Sequence, residues 1–424
     1  MTLPDIHRTI DAVWRIESAR LIASLTRIVR DVGLAEDLAQ GALVAALEQW
    51  PQSGIPDKPA AWLMTTAKHH AIDLIRRNVR LERKQEEIGR ELELQQELDI
   101  PEIDFDSDDM GDALLRLIFI SCHPVLSKEA RLALTLRLLG GLTTDEIARA
   151  FLVPEPTIAQ RIVRAKRTLS EARVPFEVPN GSERVARLSS VLEVIYLIFN
   201  EGYSATSGDD LMRPALCEDA LRLGRVLAEL IPDEAEVHGL VALMEIQASR
   251  SRARVGRSGE PIPLLEQNRG RWDQLLIRRG FAALMRAESL GHALGPYRLQ
   301  AAIAACHAQA RTAEETHWER IAALYDALVQ LAPSPIVELN RAVAVSMAFG
   351  PAAGLEIVDT LTSEPSLKSY HLLPSVRADL LSKLGRFSEA CEEFKRAASL
   401  TRNAREHELL LERAGTMAKS ESRD

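Results

Sequence analysis

Residues 143–169, TTDEIARAFLVPEPTIAQRIVRAKRTL, admit few folds. Thr143 and Glu146 have capping-box spacing, so a helix starts there, with Ile147, Ala148 and Phe151 on its apolar side. The chain turns at Leu152–Val153, and Pro156 falls in the first turn of a second helix, where a missing N–H costs little. At about 100° per residue, Ile158, Ile162, Ala165 and Leu169 share one face. Thr157, Gln160, Arg164 and Arg167 share the opposite face, with Arg161 at its edge and Lys166 near the boundary. Cap, turn and facial segregation together make a helix-turn-helix that reads a DNA major groove. On that reading Thr157, Gln160, Arg161, Arg164 and Arg167 face base edges and phosphates, and Lys166 touches phosphate. The plainer alternative is an amphipathic helix with a solvated basic side.

The rest of the chain narrows the class. Its 424 residues suggest two or three domains with ample core. Aromatics make up only 4%, alanine and leucine dominate, and no stretch alternates like a strand, so the expected fold class is all-α. The net charge of −9 excludes a generic polyanion binder and confines DNA contacts to local patches. Cys122, Cys217, Cys306 and Cys391 lie far apart, which argues for a reducing compartment and against a zinc site. No cofactor or metal is expected. Neither a signal peptide nor a membrane span is recognisable, so the expected location is cytoplasmic.

Four segments follow from pattern and composition. Residues 5–84 form a helical unit, with helices over about Ile10–Val32, Leu34–Trp50 and Ala60–Lys84. Among the apolar positions of the first are Val13, Ile16, Leu21, Leu25 and Ile28. Residues 85–112 are a strongly acidic linker in which Arg90 is the lone cation, helical at first. It reads as a solvated spacer; a shield over the basic helices is the sharper alternative. Residues 113–175 hold the helix-turn-helix, and VPFEVPNG marks a boundary. Residues 182–420 are helix-rich and repeat-like.

A second basic helix, AWLMTTAKHHAIDLIRR, has an apolar stripe of Leu63, Ala67, Ala71 and Leu74. Trp62, Thr65, His69 and Arg76 lie opposite, and Lys68 and Arg77 widen the positive surface. An aromatic among donors and cations suits stacking on an unpaired base. Trp62 fits a core position equally well. In the helix before it, Leu38, Ala42, Ala45 and Ala46 can pack inward while Glu36, Asp37 and Gln40 are free to face a partner.

Taken together, these residues resemble an extracytoplasmic-function (ECF) sigma factor, a promoter-specificity subunit of bacterial RNA polymerase. AEDLAQ and AWLMTTAKHHAIDLIRR resemble its region 2, and LTLRLLGGLTTDEIARAFLVPEPTIAQRIVRAKRTL resembles region 4. The resemblance implies that Asp37 and Gln40 bind the core polymerase. It implies that Trp62, Thr65, Lys68, His69, Arg76 and Arg77 bind the −10 element, and that the helix after Pro156 binds the −35 element. Gly41 departs from the family pattern beside Gln40, which implies softer core binding, and Pro154, Pro156 and Ala159 depart from it in the recognition helix, so no −35 sequence carries over. The remainder, including LIFNEGYSAT and GPYRLQAAIAACHA, resembles a subgroup with a fused tetratricopeptide-like C-terminal domain, which implies self-regulation.

The tail supports repeats on its own. Ala342/Ala378, Gly350/Gly385 and Ala353/Ala390 recur at about 35–37 residues. Asn200–Tyr203 reads as a helix C-cap with Gly202 left-handed, or else as the lining of a ligand site, and Arg250–Gly259 as a solvated basic loop. The expected partners are core RNA polymerase, promoter DNA and an unknown protein or ligand at the repeats, with no membrane. The expected function is non-enzymatic. A polymerase-independent helix-turn-helix regulator with a repeat-type sensor, and a repeat-protein adaptor, remain open on the sequence.

Overall fold

The computed structural model describes residues 3–86, 107–151, 153–205, 207–256, 259–291 and 293–421. Most of the acidic linker lies outside the described residues. The fold is all-α, as the composition predicts, with one minimal strand pair. Two compact units divide at Val194/Ile195.

The first unit begins with α1 (Leu3–Val29), α2 (Val32–Ser53) and α3 (Pro59–Glu86). The first helix stops sooner than its periodicity predicts, because the Asp31 carboxylate accepts from Leu34 N at 2.8 Å and starts α2 there. Ile10, Leu21 and Leu25 are buried as the core of α1, whereas Ile16 is exposed. Ala35, Ala39, Ala42 and Ala46 let α2 approach its neighbours closely, and Trp50 is fully buried at its end. The four helices α4 (Ser107–Ser121), α5 (Lys128–Leu138), α6 (Thr144–Phe151) and α7 (Glu155–Glu171) complete this unit, packed through Leu117, Phe119, Leu134 and Leu136. The start of α4 falls inside the predicted linker.

Helix α8 (Gly181–Tyr203) contains the division between units. Its first half is tied to the first unit: Ser190 Oγ donates to Cys122 O at 2.7 Å, and Lys128 pairs with Glu193 at 3.2 Å.

The second unit is a succession of helices: α9 (Pro214–Leu230), α10 (Ala235–Ala248), α11 (Gln274–Ser289), α12 (Pro296–Gln309), α13 (Trp318–Leu331), α14 (Pro335–Phe349), α15 (Pro351–Leu361), α16 (Leu372–Lys383), α17 (Phe387–Leu400) and α18 (Ala404–Glu421). The repeated glycines take matching places. Gly350 and Gly385 turn α14 into α15 and α16 into α17 with φ of 100° and 76°. Ala342, Ala378 and Ala390 are buried, but the position that packs like Ala390 is Gly354 rather than Ala353. A Cβ on Gly354 would lie 2.7 Å from Ala342 O.

Gly202 is not a left-handed cap. It sits inside α8, where a Cβ would meet Cys217 N at 2.6 Å, so it permits close packing against α9. Its neighbour Glu201 is buried and paired with Arg213. The basic loop is also less solvated than expected, since the Arg254 guanidinium lies 3.7 Å from the Tyr203 ring centroid. Strands β1 (Ser207–Gly208) and β2 (Arg402–Asn403) pair in parallel, joining the start of this unit to its last helices. Asn403, fully buried, donates to Asp210 O at 2.9 Å and Ala205 O at 3.3 Å while its Oδ1 caps α18.

Burial pushes the thiols of Cys122 and Cys217 up to about 12. Thiolate is the reacting form, so both are expected to resist iodoacetamide at pH 8 in the folded chain and to react once it is unfolded. Mass mapping of native-state labelling checks this; rapid modification of either would contradict the packing.

Candidate nucleic-acid interface

The helix-turn-helix forms as its residues dictate. Thr143 Oγ1 accepts from Glu146 N at 3.1 Å, and Glu146 Oε2 accepts from Thr143 N at 2.8 Å, a complete capping box. Pro154 and Pro156 flank the start of α7 without costing it a bond. Ile158, Ile162, Ala165 and Leu169 are buried, and Gln160, Arg164 and Arg167 are exposed on the other side. Thr157 and Arg161 are half-buried at the rim of that face. Arg167 is braced by Glu171 at 2.6 Å. Lys166 does not join this row. Its ammonium lies 2.5 Å from Glu36 Oε2 and 3.9 Å from Asp37 Oδ1.

Helix α3 buries Leu63, Ala67 and Ala71 and exposes Thr65, His69, Arg76 and Arg77. Trp62 takes an intermediate place. It is half-buried, its ring set edge-on to the buried Trp50 at 5.4 Å and 71°, which fixes the indole while leaving part of it open. Lys68 is half-buried, and burial lowers its ammonium below the ordinary value.

On α2, Asp37 is exposed but Glu36 is not free: its side chain is only 3% exposed. Arg137 Nε donates to Glu36 Oε1 at 2.6 Å, and Gln40 Nε2 donates to the same oxygen at 2.5 Å. The Lys166 contact with Oε2 is a charge contact without hydrogen-bond alignment. The open side of α2 therefore presents Asp37 with Val44 and Leu47, apolar residues that are 52% and 38% exposed, while Gln40 is half-buried beside them. Sequence reasoning passed over both; their helical spacing from Asp37 was the available signal.

Comparison with known proteins decides what these faces belong to. Residues 15–81 match Sigma-70 region 2 and residues 116–169 match Sigma-70, region 4. The chain is a sigma factor. Residues 187–288 match a family of unknown function, DUF6596. An uncharacterized protein of Rhizobium meliloti (strain 1021) is 42% identical over 390 residues, 91% of this chain and 90% of its own length, so the two belong to one family. The probable ECF RNA polymerase sigma factor SigI of Mycobacterium tuberculosis is 27% identical over 180 residues, 42% of this chain and 60% of that protein.

In sigma-factor terms, α1–α3 carry region 2 and α4–α7 carry region 4, and the two regions touch. Besides the Glu36 junction, Arg15 pairs with Glu146 at 2.5 Å. Gly141, with φ of 70°, brings the loop before α6 onto α1, where a Cβ would lie 2.8 Å from Ser18 Oγ. Among the described residues no group of His, Cys, Asp and Glu is arranged to hold a metal, and no helix is long and apolar enough to cross a membrane.

Burial alone would raise the Glu146 carboxyl, but the bonds from Thr143 and the charges of Arg15 and Arg149 outweigh it and hold it below the usual carboxylate range. A depressed folded-state pKa contributes stability above the unfolded pKa, and that contribution is lost as pH falls through the folded pKa. Glutamine keeps the capping-box bond but not the charge, so Glu146→Gln is expected to cost about 0.3–1 kcal/mol at pH 7. The difference from wild type should shrink as the pH falls below 4. Urea denaturation across pH reads this, and a pH-independent difference would show that the carboxylate charge is not what stabilises the cap.

Proposed function

We propose that this chain is an ECF-type sigma factor whose own C-terminal helical domain regulates it, acting in the cytoplasm and carrying out no catalysis itself. The observation that carries the reading is the pairing of two separate DNA-suited faces, one on α3 and one on α7, in a chain that matches both sigma regions. Asp37 and Gln40 contact the core polymerase, with Val44 and Leu47 extending the surface. Trp62, Thr65, Lys68, His69, Arg76 and Arg77 engage the −10 element. The half-buried Trp62 suits this role because stacking on an unpaired base needs a held ring with one open side. Thr157, Gln160, Arg161, Arg164 and Arg167 read the −35 element. Lys166 reaches phosphate only after leaving Glu36.

The C-terminal helical hairpins have the glycine-turned, small-residue packing of tetratricopeptide-like repeats, which supports a regulatory domain presenting a binding surface to a protein or small ligand. Docking of this domain on the sigma regions would support activity.

Run-off transcription with purified core polymerase and genomic fragments tests the whole reading. Discrete start sites that need this chain are expected. DNA binding without core polymerase and without new starts would replace it with a conventional helix-turn-helix regulator. Arg164→Ala is expected to weaken one promoter class by about 1–3 kcal/mol, whereas Arg77→Ala should weaken all promoters similarly and reduce the salt slope by about 1. Equal losses on every promoter would refute these roles. A chain cut after Gly181 is expected to lose activity; full activity would remove the regulatory domain from the scheme.

A further inference from the structure

The first unit contains a cleft of about 620 Å³ that none of the DNA-suited faces uses. Its walls are the end of α1, one side of α4, the end of α7 and the segment 174–177. Five cations line it, Arg27, Arg30, Arg116, Lys166 and Arg173, against two carboxylates, Asp31 and Glu177. Several of these are already engaged: Asp31 caps α2, Arg116 pairs with Asp112, and Lys166 pairs with Glu36.

Arg30 and Arg173 are different. Among the described residues, no ion pair holds either one. They are also the two non-glycine residues with positive φ among those described, at 53° and 49°. Each follows a helix end, α1 for Arg30 and α7 for Arg173, where glycine or asparagine avoids the steric cost of the left-handed conformation. Attraction to a helix C-terminus explains a cation in the last turn but does not require positive φ. Arginine is thus kept at two strained positions that open on one cleft, and strain of this kind clusters where a site is pre-formed.

We infer that this cleft binds a small polyphosphate. Its volume suits a small molecule. Guanidinium groups grip phosphate in bidentate fashion, and the excess of cations in the lining calls for a multiply charged anion. Phe176, half-buried in the lining, adds an aromatic side chain beside the cations, suited to a nucleoside that the phosphates carry. The walls come from region 2 through α1 and from region 4 through α4 and α7, so an occupant braces the contact between the regions. Binding itself does not depend on the promoter roles proposed above.

Calorimetric titration of the full chain with sodium tripolyphosphate, at constant ionic strength, tests this. Saturable one-to-one binding is expected for wild type, weakened at least about tenfold in the Arg30→Gly/Arg173→Gly double variant. Glycine relieves the left-handed strain, so this variant should melt at the same temperature as wild type or higher, which separates lost binding from lost folding. No saturable binding by wild type, or equal binding by the variant, would overturn the proposal. A lower melting temperature in the variant would remove the strain argument on which it stands.

Discussion

The Glu36 carboxylate is the constraint around which the first unit is arranged. A buried charge is tolerated only when its environment replaces water, and here Arg137, Lys166 and Gln40 do so from three positions. Removing one partner of a buried pair costs about 3–5 kcal/mol, because the other charge is left stranded. The packing of α2 against α5 and α7 is therefore specified chemically as well as by shape. The linkage continues outward. Arg137 also donates to Leu142 O at 3.0 Å, just before the capping box of α6, and the Glu146 of that box reaches Arg15 on α1. One run of charges thus connects the first helices to the helix-turn-helix.

The second unit relies more on close backbone approach than on charge. Gly239 and Gly280 sit where a Cβ would collide with Arg298 and with Ile246, as Gly202 and Gly354 do at their own contacts. The charged exceptions act as caps. Burial raises the Glu236 carboxyl despite the bonds it accepts from Tyr297 N at 2.8 Å and Arg298 N at 3.2 Å, and those bonds start α12.

Local structure was largely legible in the sequence, because short-range chemistry sets it. The capping box of Thr143 and Glu146, the prolines at α7 and the apolar face of Ile158–Leu169 all depend on neighbours within a few turns. So do the exposed Thr65, His69 and Arg76 of α3. What escaped was long-range. Glu36 belongs to an acidic helix start that, read alone, faces outward; only Arg137 and Lys166, about a hundred or more positions away, take it inside. The pairing of Lys166 with Glu36 left no local mark for the same reason. Trp62 fitted core and surface equally because the deciding neighbour, Trp50, packs against just one side of it. Gly202 looked like a cap because the close approach of Cys217 leaves no local mark.

An open stack of helical hairpins contacts only nearest neighbours, so it can fray from either end, one repeat at a time. The strand pair at Ser207–Gly208 and Arg402–Asn403 alters that behaviour. Asn403, in the strand that leads into α18, fastens that end of the array to the first loop of the same unit, closing the array into a ring of contacts. A closed array has no free end from which to peel. Its hairpins are bound to lose their structure together, so an event felt at one of them is shared by the rest.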